Sequence, residues 1–239
     1  ETIKHAKLIN FKDVKAVAGH SLGEYSALVA ANSILFSSSV KLLEIRSKAM
    51  QESMPVGTGG MAAIIGKSMT EVEEIIISIK KYGKLYIAND NAHGQIVVSG
   101  EISVIEYLCQ NCKEFGIKRV LKLPVSAPFH CELIKSASLK LLDEVDNHVF
   151  NELIFNFYSN VTSNKCSHND IKDLLVKQVI SKVRWREIIE NMVKNGITSF
   201  IEIGPGNVLS NLVKRISSSS KSMSISKVED LEKLNTLVL

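Results

Sequence analysis

The sequence feature that most constrains the fold is a G-x-S-x-G pentapeptide, Gly19 to Gly23, set between two apolar segments. The run at 14–18 has the composition of a buried strand, and the small-residue segment at 25–31 that of a helix. A serine at a sharp turn between a strand and a helix is a nucleophile elbow. Flanking glycines allow the turn without a Cβ clash, and the helix N-terminus favours a developing oxyanion. The pattern therefore predicts that Ser21 is a nucleophile.

Alternating strand and helix patterns along the rest of the chain predict an α/β fold. The order within residues 56–124 is β-α-β-β-α-β, which is that of a ferredoxin-like unit. We therefore expect a ferredoxin-like subdomain at 56–124, inserted into a large α/β-hydrolase-like domain formed by residues 1–55 and 125–239. The large domain should contain one mostly parallel, doubly wound sheet. Its helices are predicted to include 38–54 and 131–146, and residues 217–226 to form a solvated loop before a last edge strand.

Composition excludes several classes of function. The formal net charge is +4, and the basic residues are scattered, so we expect no nucleic-acid partner. No apolar run approaches the roughly 18–20 residues of a membrane helix, so we expect no membrane partner. Cys109 and Cys112 form a C-x-x-C motif without a second pair at zinc-ligand spacing, so we expect no metal. Free thiols indicate a reducing compartment, either bacterial cytoplasm or the stroma of a plastid-like or mitochondrial compartment.

A nucleophilic serine needs a base within hydrogen-bond distance, and His130 is the strongest of the six histidines. It ends the proline-containing segment 126–130, where the predicted insertion returns to the main domain. His20 adjoins the serine, but the elbow directs neighbouring side chains apart, so His20 is expected to line the pocket. A partner for His130 is harder to find, since Asp90 lies in the insertion. Either a carboxylate or a backbone carbonyl holds the imidazole.

Several sequence blocks together carry a family resemblance. They are GHSLGEYSALVAA, LEIRSKAMQE, PVGTGGMAAIIG, IANDNAHGQIVVSG, LPVSAPFH and IEIGPGNVLSNLVKRI, in this order from residue 14 to about 215. In these blocks the chain resembles the malonyl-CoA:acyl carrier protein transacylase family of type II fatty acid synthesis.

The resemblance implies a role for each of five residues. Ser21 matches the acyl-bearing nucleophile, and His130 the general base and acid. The backbone N–H of Leu22 matches an oxyanion donor, and Arg46 the arginine that grips the malonyl carboxylate. Gln178 matches the residue whose backbone carbonyl orients the histidine. The arginine role agrees with elementary chemistry, because a guanidinium pairs bidentately with a carboxylate.

The resemblance also implies an acyl pocket. Phe129 matches a bulky neighbour of the histidine that leaves no room for a branched methylmalonyl group. Asn89, Asn91 and Gln95 match a loop of the subdomain that faces the pocket, although residues of these types also form turns. His20 is expected in the pocket wall.

The implied reaction moves a malonyl group from malonyl-CoA to the phosphopantetheine thiol of acyl carrier protein through a malonyl-serine ester, feeding fatty acid biosynthesis. It releases coenzyme A and needs no bound metal or redox cofactor. The family has a Gly-Gln-Gly-Ser-Gln loop far upstream of the serine, which donates the second oxyanion N–H. Only twenty residues precede Ser21 here, so we expect a fragment of a longer protein. We also expect a monomer.

Three other interpretations remain open at this point. A serine esterase or thioesterase would share the elbow but would have a carboxylate partner for His130 and no use for Arg46. A non-catalytic module would only bind acyl carrier protein. A transacylase could also be part of a polyketide synthase.

Overall fold

The structure is a computed structural model that describes residues 11–236, so the predicted large-domain residues 1–10 and 237–239 lie outside it. The described residues contain nine strands in three sheets. The strands are β1 (Ala16–Val17), β2 (Gly59–Ile65), β3 (Leu85–Ala92), β4 (Gln95–Glu101), β5 (Arg119–Lys122), β6 (Asn156–Tyr158), β7 (Lys165–Cys166), β8 (Ser199–Ile203) and β9 (Lys221–Ile225).

Eight α-helices and five short 3-10 helices lie in the same part of the chain. The α-helices are α1 (Gly23–Ala30), α2 (Phe36–Gln51), α3 (Met69–Ile79), α4 (Ile102–Gln110), α5 (Lys135–Asp146), α6 (Ile171–Gln178), α7 (Trp185–Lys194) and α8 (Val208–Ile216). The 3-10 helices are Phe11–Asp13, Lys80–Tyr82, Glu132–Ile134, His168–Asp170 and Val228–Thr236. None of the helices within 11–236 is both long and apolar enough to cross a membrane.

Residues 59–122 form a four-stranded antiparallel sheet in the order β3-β4-β2-β5, with α3 and α4 in the chain between its strands. Alternate residues of β2 face opposite sides, as strand geometry requires. Ala62 and Ile64 pack in a cluster with residues of both helices, whereas Met61 and Ala63 belong to a second cluster. Helix α3 begins at a capping box in which Ser68 and Glu71 satisfy each other's backbone N–H groups.

The single mostly parallel sheet predicted for the remaining residues is wrong as stated. Strand β6 pairs parallel with β1 and antiparallel with β7, and β8 pairs parallel with β9 in a separate sheet. Because β1 and β7 have only two residues each, their ladders end almost at once. The loop predicted at 217–226 is too long, because Lys221–Ile225 form β9, which pairs with β8; the expected last strand therefore begins earlier than predicted.

Two helix predictions need corrected boundaries. The helix predicted at 38–54 begins at Phe36 and ends at Gln51. The one predicted at 131–146 begins with a 3-10 turn and becomes α-helical only at Lys135. Cys131 has an extended backbone (φ −149°, ψ 167°), so it lies outside the helix and the 3-10 turn begins only after it.

The parallel pair of β1 and β6 positions the functional residues. Residues that follow parallel strands meet at the carboxyl edge of the sheet, where ligands of α/β proteins bind. The elbow follows β1, and the turn at 159–164 follows β6. Helices α1, α2, α5 and α6 pack in one apolar cluster that also includes Phe157 of β6.

A second set of contacts joins β3 to the segment before α7. Val183 donates its backbone N–H to Ala88 O (2.8 Å) and accepts from Asp90 N (2.9 Å). The buried Asp90 carboxylate also accepts from the Arg186 guanidinium, at 2.8 Å from Nη2 and 3.1 Å from Nε. These bonds hold the four-stranded sheet of residues 59–122 close to the residues that follow α6.

Candidate active site

The elbow places Ser21 in a strained conformation with φ of +52°. A Cβ added at Gly19 would lie 1.9 Å from the backbone of Gly23, so position 19 requires glycine. A Cβ at Gly23 would meet nothing within 4 Å, so only the first glycine of the pattern is needed for space. The chain then enters α1, with Glu24 N donating to Ser21 O at 3.1 Å.

Ser21 and His130 are in direct contact. Ser21 Oγ lies 2.8 Å from His130 Nε2, and His130 Nδ1 lies 2.9 Å from the backbone oxygen of Gln178. A carbonyl only accepts, so Nδ1 carries the hydrogen and Nε2 is free to accept the serine proton. The open choice between a carboxylate and a carbonyl partner is thus decided for the carbonyl.

Burial keeps the His130 imidazole neutral. It lowers the pKa of His130 to about 3, helped by the nearby Arg46 cation and opposed by the bond to the Gln178 carbonyl. A neutral imidazole at physiological pH is the form that takes a proton from a hydroxyl.

Arg46 reaches the same serine oxygen from α2. It lies on the buried face of that helix with Leu42, Ala49 and Met50, and its side chain is 5% exposed. Arg46 Nη2 donates to Ser21 Oγ (2.9 Å) and to Gln178 Oε1 (2.8 Å). Its Nε has no hydrogen-bond partner among the described residues. A buried cation with a free N–H beside the nucleophile is suited to bind an anionic group.

Gln178, the last residue of α6, connects all these groups. Its backbone oxygen holds His130, and its side-chain oxygen holds Arg46. Its amide nitrogen donates to Ser21 O at 3.0 Å and also to the Glu24 carboxylate. The family resemblance identified only the backbone contact.

Glu24 is a site residue that the sequence reasoning missed. It is 1% exposed, and its Oε1 accepts from Asn160 N at 2.5 Å. Burial raises the pKa of Glu24 to about 7, against the opposing effects of its hydrogen bonds and of Arg46. A signal was present, because Glu24 shares the buried face of α1 with Ala27 and Leu28, where a carboxylate needs a specific reason.

Asn160 was missed as well. Its side chain accepts from Ser21 N at 2.7 Å and donates to Gly19 O at 2.7 Å. The signal was its position just after β6, at the same sheet edge as the elbow.

Leu22, the predicted oxyanion donor, lies at the start of α1. Within residues 11–236, the backbone N–H of Leu22 has no hydrogen-bond partner. The N–H of Ser21 is already bonded to Asn160. The elbow therefore offers the Leu22 N–H to a developing oxyanion.

Four residues were predicted to line the acyl pocket, namely His20, Asn89, Asn91 and Phe129. His20 Nε2 lies 2.8 Å from Asn91 Oδ1, and burial lowers the pKa of His20. Phe129 packs between two apolar clusters beside His130. Asn89 is buried, and the hydrogen bonds that Ser21 makes with side chains within residues 11–236 go to other residues.

The predicted loop containing Asn89, Asn91 and Gln95 needs correction. Asn89 and Asn91 lie within β3, whose register shifts at two irregularities, and Gln95 begins β4 and bonds to Arg215. The shifts explain the error, because a bulged strand resembles a turn in sequence. In the part of the chain that the structure describes, no group of three or more His, Cys, Asp or Glu side chains is placed to hold a metal.

The fold and this serine-histidine site define an acyltransferase. Residues 13–234 match the family model described as acyl transferase domain. A malonyl CoA-acyl carrier protein transacylase of Bacillus subtilis is 41% identical over 217 residues, which are 90% of this chain and 68% of that protein. The chain belongs to the malonyl CoA-acyl carrier protein transacylase family. The predictions of family and enzyme class are therefore confirmed.

Solved structures of proteins from the same family have a similar fold. An acyl-carrier-protein-S-malonyltransferase from Bartonella henselae has a TM-score of 0.94 and 40% identity, covering 100% of this chain and 76% of that one. A malonyl-transacylase in complex with a type II PKS acyl-carrier protein has a TM-score of 0.89 and 36% identity, covering 94% and 74%. The chain spans about two thirds of the length of the curated relatives it matches.

The raised pKa of Glu24 predicts a pH effect on stability. The folded protein holds this proton more tightly than the unfolded chain, so the contribution is fully present below about pH 4.5 and is lost as the pH rises through about 7. Relative to Glu24→Gln, the free energy of unfolding of the unaltered protein should fall by on the order of 2–3 kcal/mol between pH 5 and 8. Urea unfolding of both proteins across this range measures it. A difference independent of pH would contradict the prediction.

Proposed function

We propose that this protein transfers a malonyl group from malonyl-CoA to the phosphopantetheine thiol of acyl carrier protein through an ester of Ser21, in fatty acid biosynthesis. The single observation that carries this proposal is the convergence of His130 Nε2 (2.8 Å) and Arg46 Nη2 (2.9 Å) on Ser21 Oγ. The imidazole supplies a base for acyl transfer, and the guanidinium supplies a partner for a carboxylate on the acyl group. The relatives' names, and the acyl-carrier protein bound by one of them, support the same substrates.

The first half-reaction forms the acyl-enzyme. His130 Nε2 takes the Ser21 proton as Oγ attacks the thioester carbonyl carbon. The Leu22 N–H donates to the oxyanion of the tetrahedral intermediate. As that intermediate collapses, the carbon–sulfur bond breaks, and His130 returns its proton to the departing coenzyme A thiolate. The Gln178 carbonyl stabilises the imidazolium between these steps.

The second half-reaction reverses these roles. The phosphopantetheine thiol gives its proton to His130 as its sulfur attacks the malonyl-serine ester. Collapse breaks the bond to Ser21 Oγ, which recovers the proton from His130. No metal or redox cofactor takes part in either step.

Arg46 binds the malonyl carboxylate throughout the cycle. The Gln178 side chain holds Nη2, so the guanidinium keeps its place when Ser21 becomes esterified. The unpartnered Nε offers a second donor for a bidentate contact. His20, Asn89, Asn91 and Phe129 line the acyl pocket, where the Phe129 ring excludes a branched acyl group.

The architecture fits the same proposal. We assign residues 56–124 to a ferredoxin-like subdomain, supported by the strand order β3-β4-β2-β5, and residues 1–55 and 125–239 to an α/β-hydrolase-like domain. The protein acts as a monomer. It works in a reducing compartment, which the free thiols of its four cysteines support, either bacterial cytoplasm or a plastid-like or mitochondrial stroma.

Covalent labelling tests the proposed function. Incubation with radioactive malonyl-CoA should label the unaltered protein stoichiometrically, and Ser21→Ala should abolish the label, because no other side-chain hydroxyl within residues 11–236 is hydrogen-bonded to His130. Ser47→Ala, on the exposed face of α2, is the matched control and should label normally. An unlabelled native protein would favour a binding module, and rapid hydrolysis of neutral esters would favour an esterase. A labelled Ser21→Ala protein would refute the nucleophile.

Replacement of the arginine tests acyl specificity. Arg46→Ala should lower kcat/KM for malonyl transfer about 100- to 1,000-fold, since hydrogen bonds to charged groups contribute about 1.5–3 kcal/mol each. Acetyl transfer should fall by about tenfold or less, because an acetyl group has no carboxylate and only the contacts of Arg46 with Ser21 Oγ and Gln178 Oε1 are lost. Lys48→Ala, on the exposed face of the same helix, should change neither rate. Equal losses for both acyl groups would contradict the role of Arg46.

A further inference from the structure

We propose that Asn160 is a positioning residue that fixes Ser21 in its reactive conformation through the backbone on both sides of the serine. This inference rests on the proposed function only in that Ser21 is the nucleophile. Asn160 is fully buried. Within residues 11–236 its side chain is hydrogen-bonded to the backbone at Ser21 and Gly19 and not to Ser21 Oγ or His130, so it acts through the serine backbone.

The carboxamide of Asn160 makes two complementary hydrogen bonds with the elbow. Its Oδ1 accepts from Ser21 N at 2.7 Å, and its Nδ2 donates to Gly19 O at 2.7 Å. One planar group thus binds a donor and an acceptor two residues apart. This geometry suits an amide, which carries both functions on one rigid carbon.

These bonds hold the strained part of the turn. Ser21 has a φ of +52°, a backbone conformation that residues other than glycine rarely adopt. Such a conformation persists only where its surroundings impose it. The Ser21 N–H would be free to rotate away if the chain relaxed toward negative φ, and the bond to Asn160 opposes that rotation.

The backbone of Asn160 is itself fixed from two directions. Its N–H donates to Glu24 Oε1 at 2.5 Å, and its carbonyl accepts from Arg184 N at 3.1 Å. Glu24 belongs to α1, the helix that follows the elbow. The turn after β6 and the helix after Ser21 therefore hold each other in register.

The arrangement has a chemical consequence for the oxyanion. Because Asn160 occupies the Ser21 N–H, that donor cannot turn toward the substrate. The next N–H along the chain, that of Leu22, remains to serve the oxyanion. Asn160 therefore positions both the attacking oxygen and its neighbouring donor.

Asn156 provides a matched control, because its side chain also bonds to the β1 segment but is not hydrogen-bonded to Ser21. Its Nδ2 donates to Lys15 O at 2.8 Å, and it lies four residues before Asn160, as Lys15 lies four before Gly19. Both asparagines therefore tie the β6 segment to the β1 segment by a side-chain to backbone bond. Only Asn160 contacts Ser21.

The rate of Ser21 sulfonylation by phenylmethylsulfonyl fluoride tests the proposal. In this reaction Ser21 Oγ forms a bond to sulfur, fluoride leaves, and His130 takes the serine proton, so malonyl-CoA is not required. Asn160→Ala should lower the second-order rate constant about 100-fold, the loss expected when a reacting group is displaced by about 1 Å. Asn156→Ala should stay within about threefold of the unaltered protein. Thermal unfolding first establishes that each variant is folded at the assay temperature.

If Asn160→Ala does not fold, a second variant, Asn160→Asp, tests the same proposal. Asn160→Asp keeps the volume and the oxygen that accepts from Ser21 N but loses the donor to Gly19 O, and should slow sulfonylation about tenfold. A folded Asn160 variant that reacts at the native rate overturns the positioning role, as does an equal loss in Asn156→Ala. No sulfonylation of Ser21 in the unaltered protein overturns the proposed nucleophile and the positioning role with it.

Discussion

The hydrogen bond between Ser21 Oγ and a neutral His130 is the interaction on which the rest of the site depends. Burial alone would disfavour the imidazolium, and the Gln178 carbonyl 2.9 Å from Nδ1 leaves Nε2 as the acceptor. A carbonyl drives the imidazole toward its cationic form less strongly than a carboxylate would. Under the proposed function, such a base takes the serine or thiol proton and gives it back within each half-reaction.

Two buried ionisable side chains, Arg46 and Glu24, lie close to this hydrogen bond. Arg46 contributes a buried cation, Glu24 a buried acid, and the Gln178 side chain bonds to both. A buried cation without partners would be costly, so these contacts stabilise Arg46 beside Ser21. Asn160 completes the set by bonding to the elbow and to Glu24, so that α1, α2, α6 and the turn after β6 all converge on one serine.

The sequence predicted the features that depend on residues close together in the chain. The elbow could be predicted because a glycine, a serine and a helix lie within a few residues, and in the structure Ser21 Oγ lies 2.8 Å from His130 Nε2. Arg46 and Gln178 came from family resemblance, since nothing in their own segments indicates their partners. Glu24 and Asn160 were missed because their contact joins residues 136 positions apart. The error over a single sheet has the same origin, because pairing between short strands depends on distant segments.

The protonation of His130 tests the central claim most directly. Nuclear magnetic resonance of ring-labelled histidine should show His130 neutral, with the hydrogen on Nδ1, from pH 8 down to pH 5, since its pKa is lowered to about 3. If His130 instead took up a proton near pH 6.5, or carried its hydrogen on Nε2 at neutral pH, Ser21 would face no ready base and the account would be wrong.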